Sequence, residues 1–140
     1  MPRGSNFFSR GPRSFGVIES QRVQVNLAAP TQTLKPSQSG QLFICAVDAV
    51  LTLPTSSPDI KGVTFGAMCG ALSTGVGLSL SPAAADAIGG NGLTVVVDKD
   101  LINSGASDRL GDLIWVICTG ETGATAWRIV EVIGTWAKES

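Results

Sequence analysis

Hydrophobic and polar residues alternate with a period of two along much of the chain after residue 21. Residues 22–27 are one example, because Val23, Val25 and Leu27 alternate there with polar neighbours, as a half-buried strand requires. Further short runs follow, separated by the Pro, Gly, Asp and Ser residues that are typical of turns. The later predicted strands are residues 41–47, 50–53, 62–68, 76–80, 93–97, 113–119 and 125–133.

The predicted elements are almost all strands. The one helix candidate, residues 82–87 (PAAADA), is at most a turn or two long. Strands do not alternate with helices, so a parallel α/β sheet is not expected. Eight or nine short strands at even spacing predict an all-β fold, specifically an antiparallel β-sandwich or jelly-roll-like domain. Residues 120–123 (GETG) separate the last two strands and predict a hairpin-like turn.

The N-terminal segment differs from the rest of the chain. Residues 1–21 are predicted to be an extended arm, and residues 22–140 the β-sandwich domain. The arm is rich in Gly, Ser, Arg and Pro and has no helical or strand period, but it contains Phe7, Phe8 and Phe15. Aromatic side chains are costly to leave in water, so we expect the arm to become ordered on a partner surface. The alternative is an arm that folds back on its own domain.

The net charge of −1 conceals a difference between the two parts. Residues 1–22 hold four arginines and one glutamate, a net charge of +3, whereas the remainder holds six basic and ten acidic residues, a net charge of −4. A basic arm on an acidic body suggests an interaction tail. Four arginines are too few to predict nucleic acid as a partner. Apolar runs are far shorter than the ~20 residues of a membrane helix, so no membrane contact is predicted, and the N-terminus lacks the apolar core of a secretory signal.

The composition argues against an enzyme. The chain has no histidine, which removes the commonest general base and the commonest metal ligand. Cys45, Cys69 and Cys118 lie far apart in apolar runs without a CxxC pair, as expected for buried thiols of a protein made in a reducing compartment. No phosphate-binding glycine loop and no GxSxG motif occurs. We therefore predict no catalytic, cofactor-binding or metal-binding residues and no cofactor.

Two groups of residues leave alternatives open. Asp98, Asp100, Asp108 and Asp112 have the chemistry of an acid–base pair or a calcium site, although we favour turn and strand-end aspartates in a solvated loop. The tryptophans have the chemistry of a stacking platform for sugars or single-stranded nucleic acid. We favour core or interface packing for the two in strands and leave the role of the third open. These tryptophans are Trp115 and Trp127 in strands and Trp136 near the C-terminus.

Several motifs between Thr33 and Trp136 carry a family resemblance. They are Thr-Leu-x-Pro-x-x-Ser-Gly from Thr33, QLFICAVDAVLTLP from Gln41, the passage from Leu80 to Gly90, GDLIWVI from Gly111, WRIV from Trp127 and the closing Gly134-Thr135-Trp136. In this order they resemble a small virion domain of tailed bacteriophages that occurs in capsid decoration (cement) proteins. Residues 1–20 fall outside the resemblance.

The resemblance implies a structural virion protein. It implies a homotrimeric β-sandwich, made in the host cytoplasm, that binds the outer capsid surface and clamps adjacent major capsid proteins to stabilise the head. Its partners would be two further copies of itself and the major capsid protein. We assign lattice gripping to the arm, with arginines pairing with acidic shell residues and phenylalanines filling pockets. The predicted capsid-binding residues are Arg3, Phe7, Phe8, Arg10, Arg13 and Phe15.

Two other functions compete with this one. The first is the base or tip domain of a head or tail fibre that attaches to a host-surface glycan, but fibres usually carry a long repetitive or coiled-coil shaft, and these 140 residues contain none. The second is a small hydrolase, which would depend on Asp98 or Asp112 and has the least support.

Overall fold

The computed structural model describes residues 23–70, 77–103 and 108–140. These residues form mainly β-strands with a few single-turn 3-10 helices, which confirms the all-β prediction. The predicted arm, residues 1–21, lies outside the described residues. The strands are β1 (Val25–Leu27), β2 (Thr31–Thr33), β3 (Gln41–Cys45), β4 (Ala49–Thr52), β5 (Thr64–Cys69), β6 (Leu78–Ser81), β7 (Ile88–Gly89), β8 (Leu101–Asn103), β9 (Leu113–Cys118), β10 (Trp127–Ile133) and β11 (Ala137–Lys138).

The strands lie in two sheets. The six-stranded sheet has the order β1-β3-β5-β9-β10-β7, and the five-stranded sheet has the order β11-β8-β6-β4-β2. The first six strands alternate between the two sheets. β1, β3 and β5 are parallel neighbours in the six-stranded sheet, and β2, β4 and β6 are parallel neighbours in the five-stranded sheet. Strands β8 to β11 pair antiparallel, except that β10 is parallel to β7.

The predicted antiparallel arrangement is therefore wrong for much of the fold, because five of the nine pairings among the described strands are parallel. Parallel neighbours need a long crossover connection, which is a helix in α/β proteins. Here a strand of the opposite sheet provides the crossover for the first six strands. The hairpin expected between the last two predicted strands is confirmed, since β9 and β10 are antiparallel neighbours around residues 119–126.

A single hydrophobic core contains inward-facing side chains from both sheets. Phe43, Phe65 and Trp127 are its largest members from the six-stranded sheet, and Leu51 and Leu80 come from the five-stranded sheet. The rings of Phe65 and Trp127 lie 5.9 Å apart with a tilt of 35°, within the range of favourable aromatic pairs. Phe65 and Leu80 lie on the buried side of their strands, as the period-two pattern predicts. Trp127, expected in the core or at an interface, lies in the core.

Two local predictions are wrong. Residues 93–97 form no regular strand, and Val95, Val96 and Val97 are exposed in a loop. Residues 82–87 form turns rather than a helix. Residues 31–33 form β2, a strand that was not predicted. Pro30 precedes this strand and contributes only its carbonyl, which accepts a 2.9 Å hydrogen bond from the Val50 amide.

The three cysteines are free thiols and buried, which agrees with the prediction. Cys45 on β3 lies opposite Cys69 on β5, and both face the core. Burial, together with the smaller effect of the neighbouring Cys69, raises the pKa of the Cys45 thiol to about 12. Cys45 therefore stays protonated in the folded protein at pH values where an ordinary thiol ionises.

This pKa shift predicts a loss of stability at alkaline pH. The folded pKa is raised above the value of 9.0 for an ordinary thiol, so the contribution to the free energy of unfolding is complete below pH 9 and declines as pH rises toward 12. The expected slope is about 1.4 kcal/mol per pH unit. Urea unfolding between pH 7 and 10.5 measures it. Cys45→Ala should remove this slope, whereas Val116→Ala, a thiol-free core truncation, should keep it; a wild-type slope in Cys45→Ala would contradict the explanation.

Candidate interaction surfaces

The outward-facing side chains of the six-stranded sheet form one surface, which we call the outer apolar face. Side chains alternate between the two sides of a strand, and the strand register aligns the outward ones in rows across the sheet. One row is Val25, Leu42, Gly66, Trp115 and Glu131, and the next is Leu27, Ile44, Met68, Leu113 and Ile133.

Trp115 and Gly66 show how the middle of this face is built. A Cβ atom at Gly66 would lie 2.7 Å from Cε2 of the Trp115 ring, so the ring lies directly over a position that must lack a side chain. Trp115 is half-buried on the outside of the sheet, whereas Trp127 is fully buried in the core. The two strand tryptophans therefore have different roles.

The outer apolar face is exposed along β1 and β10 and half-buried to buried between them. Leu27 is 81% exposed, Val25 54% and Ile133 50%. With strands ~4.8 Å apart and a rise of ~3.3 Å per residue, the five longer strands present about 400 Å². Contiguous apolar patches of several hundred Å² mark sites of protein–protein contact. In its described part this face has two charged residues, Arg128 and Glu131, of opposite sign.

The outer face of the five-stranded sheet is different. Its central row contains Thr31, Val50, Ser79, Ile102 and Ala137, which are small or β-branched residues. A shallow pocket of about 320 Å³ opens at this face between Pro30 and Ile102. The Asp48 carboxylate at the pocket accepts a 2.7 Å hydrogen bond from the Gly77 amide. The lining lacks the group of convergent polar side chains that is typical of a small-molecule site.

The acidic residues singled out in the sequence have separate roles. Asp108 and Asp112 are buried, so their interpretation as solvated loop residues is wrong. The Asp112 carboxylate accepts hydrogen bonds from Asn103 Nδ2 at 2.8 Å and from the Arg109 amide at 3.0 Å. Asp100 accepts a hydrogen bond from the Ser79 hydroxyl. Within the described residues, no three His, Cys, Asp or Glu side chains are grouped so that they could hold a metal ion.

Asp86 is a structural residue that the sequence did not reveal. Its side chain is fully buried and accepts hydrogen bonds from the Ser56 amide at 2.7 Å and the Gly123 amide at 3.4 Å. It therefore connects two loops that are distant in the sequence. The motif PAAADA favours a short helix and gives no indication of this role.

The role of Trp136, open at the level of sequence, is structural. Trp136 is 7% exposed, belongs to the core cluster and donates a 3.1 Å hydrogen bond from Nε1 to the Ile133 carbonyl. Gly134, two residues earlier in the chain, has a φ of +88° and lies against the Asp112 carboxylate. The closing Gly-Thr-Trp motif thus packs against the Gly-Asp motif that begins at Gly111.

The six predicted arm residues, Arg3, Phe7, Phe8, Arg10, Arg13 and Phe15, lie outside the described residues, so they stay predictions. The described chain begins at Val23, directly before β1. Among the described residues, no helix has the length and apolarity needed to cross a membrane.

The chain matches no protein-family model and no curated protein.

Proposed function

We propose that this chain is a structural virion protein, a homotrimeric capsid decoration (cement) protein that binds the outer surface of a phage head and clamps adjacent major capsid proteins. The outer apolar face is the observation that carries the proposal. A monomer would leave this face in water, whereas association of copies buries it, and interfaces between identical subunits are more apolar than average surface.

Charge does not oppose a contact between copies of the same chain. The body from residue 23 onward has six basic and ten acidic residues, but Asp86, Asp108 and Asp112 are buried, so its accessible charge is close to balanced. The outer apolar face carries one charge of each sign, Arg128 and Glu131, and brings no net charge into the contact. A closed cyclic trimer buries this face in every copy and leaves no site for further growth.

The finer fold belongs to the same proposal. The two sheets share one core, which supports a β-sandwich, the architecture implied by the family resemblance. A jelly roll is built from antiparallel Greek keys, and the parallel pairings of β1 to β6 do not fit that pattern.

The arm supplies the second attachment in this proposal. Arg3, Arg10 and Arg13 pair with acidic residues of the shell, and Phe7, Phe8 and Phe15 fill pockets on it. Three arms on one trimer act together, because once one arm is bound the others bind at a high effective concentration.

Deletion of residues 1–20 tests the role of the arm. Full-length and truncated protein are mixed with purified expanded capsids that lack the protein, and occupancy is measured over a range of salt concentrations. Both proteins should be trimers by light scattering. The truncated trimer should bind the capsid about a hundredfold more weakly or worse. Unchanged capsid occupancy and unchanged salt resistance after truncation would refute the role of the arm.

A further inference from the structure

The two ends of the sheets are protected differently. At one end, β7 and β11 are covered: Lys138 Nζ donates a 2.7 Å hydrogen bond to the Ile88 carbonyl, and Val95 packs against Gly89. Burial lowers the pKa of Lys138, while the nearby Asp100 acts in the opposite direction. Covering an edge with a lysine and a loop is a common protection against unwanted strand pairing.

The other end of the six-stranded sheet, strand β1, is open. The Gln24 carbonyl accepts a hydrogen bond from the Leu42 amide, and the Ala28 amide donates one to the Ile44 carbonyl, each at 2.9 Å. Peptide groups along a strand point alternately toward and away from one neighbour, so the N–H and C=O groups of Val25 and Leu27 point away from β3. In the part of the chain that the structure describes, these groups have no hydrogen-bond partner.

Strand β2 is open in the same way but is chemically different. The Pro30 carbonyl and the Leu34 amide bond to β4, at 2.9 and 2.8 Å, so the peptide groups of Thr31 and Thr33 point outward. Residues 23–34 contain no charged side chain, and charge is a usual protection of an edge. Of the two open strands, only β1 combines free peptide groups with large exposed apolar side chains.

The interior at this end is closed by amides. Asn26 Nδ2 donates to Gln41 Oε1 at 2.6 Å, and Gln41 Nε2 donates to Gln24 Oε1 at 3.2 Å. On β2 of the five-stranded sheet, Gln32 Oε1 accepts a 3.2 Å hydrogen bond from the Ala29 amide. Terminal units of a stacked fold usually carry such polar side chains. The end is therefore unsuited to stacking another hydrophobic layer but suited to adding a single strand.

We propose that β1 binds an extended segment of the shell protein by β-strand addition. This inference rests on the proposed function, which supplies the shell protein as partner. The segment would be uncharged where it meets β1, and every second side chain would be apolar and lie beside Val25 and Leu27. The arm precedes β1 in the chain, so a shell protein held by the arm is tethered within reach of this edge.

A second copy of the chain is a poorer occupant. Pairing of β1 with β1 of another copy is a two-fold contact, which gives dimers rather than a closed trimer. The edges at the far end, β7 and β11, are covered and two residues long.

Two substitutions at Leu27 in the full chain separate the peptide group from the side chain. Leu27→Pro removes an N–H that points away from β3, so the hydrogen bonds between β1 and β3 remain. Leu27→Thr keeps the N–H and a β-favouring side chain. Leu27 also lies at the margin of the outer apolar face, so both variants lose its side chain there and should weaken the trimer to a similar extent, with similar melting temperatures. Capsid binding is therefore compared at protein concentrations where both variants are trimers. Leu27→Pro should bind expanded capsids about tenfold more weakly than Leu27→Thr.

Hydrogen exchange of the wild-type protein gives a second measurement that does not depend on a variant's folding. The Val25 and Leu27 amides should exchange quickly in the free trimer and slowly on the capsid. If wild-type protein binds capsids but these amides stay unprotected and Leu27→Pro binds as tightly as Leu27→Thr, the inference is overturned while the proposed function stands. Loss of the trimer in a folded Leu27→Pro variant but not in Leu27→Thr would also overturn it, because the edge peptide group would then join copies. Failure of wild-type protein to bind capsids would instead overturn the proposed function, and this inference with it.

Discussion

Replacement of Met68 by lysine is expected to convert the proposed trimer into monomers. Met68 lies on β5 in the middle of the outer apolar face, between Ile44 and Leu113 in the register. In the monomer a lysine can extend its ammonium group into water, so the fold should persist. In the trimer that charge would be buried without a partner, which is strongly unfavourable. We expect association to weaken by about a hundredfold or more, measured by sedimentation velocity over a range of concentrations.

Thr52→Lys is the matched control, because Thr52 lies on a central strand of the other sheet and faces outward there. This variant should remain a trimer. A Met68→Lys protein that associates like wild type would contradict the assignment of the interface. A monomeric Thr52→Lys protein would move the interface to the five-stranded sheet.

Replacement of Gly134 by alanine is expected to lower the free energy of unfolding strongly. Gly134 has a φ of +88°, and a Cβ atom there would overlap the carboxylate of the buried Asp112. A left-handed backbone costs a non-glycine residue ~1–2 kcal/mol, and forcing an atom into a packed site costs a further ~1–3 kcal/mol. Asp112 cannot move away without losing its hydrogen bonds to Asn103 and Arg109. The melting temperature should therefore fall by about 10 °C or more.

Gly40→Ala separates the two causes of this effect. Gly40 has a similar φ of +83°, but a Cβ atom there would meet nothing within 4 Å. Calorimetry should show only the backbone cost in this control. If Gly134→Ala and Gly40→Ala lower the melting temperature equally, contact with Asp112 does not contribute to stability.

The sequence allowed the strands to be predicted better than their directions. Alternation identified β5 and β6 with the correct buried residues, Phe65, Ala67, Leu78 and Leu80. The same alternation does not indicate whether the next strand returns in the same sheet or crosses to the other. The parallel winding of β1 to β6 was therefore missed, because it depends on long-range pairing.

Strand β1 shows a second limit of the period-two pattern. The strand was predicted, but its apolar side chains lie on the outer surface, while Asn26 points inward and bonds to Gln41. Alternation shows that a strand has two different sides, but not which side faces the core. The polar lining at this end of the core decides the orientation of β1.

The outer apolar face left a signal in the sequence that period-two analysis does not use. β3 (QLFIC) and β9 (LIWVIC) are apolar almost throughout rather than alternating. Such continuous runs are typical of strands covered on both faces. One face of each strand is covered by the core, so the run predicts a second cover. The partner that provides this cover cannot be identified from the runs alone.

In the proposed function, three copies of this chain associate through the outer apolar face and bind the outside of a capsid. Electron cryomicroscopy of expanded capsids mixed with the full-length protein tests both contacts at once. We expect three-fold symmetric density on the outer surface, with the six-stranded sheets of three copies facing a common axis and the arms directed toward the shell. Undecorated capsids, together with a monomer in solution, would contradict it.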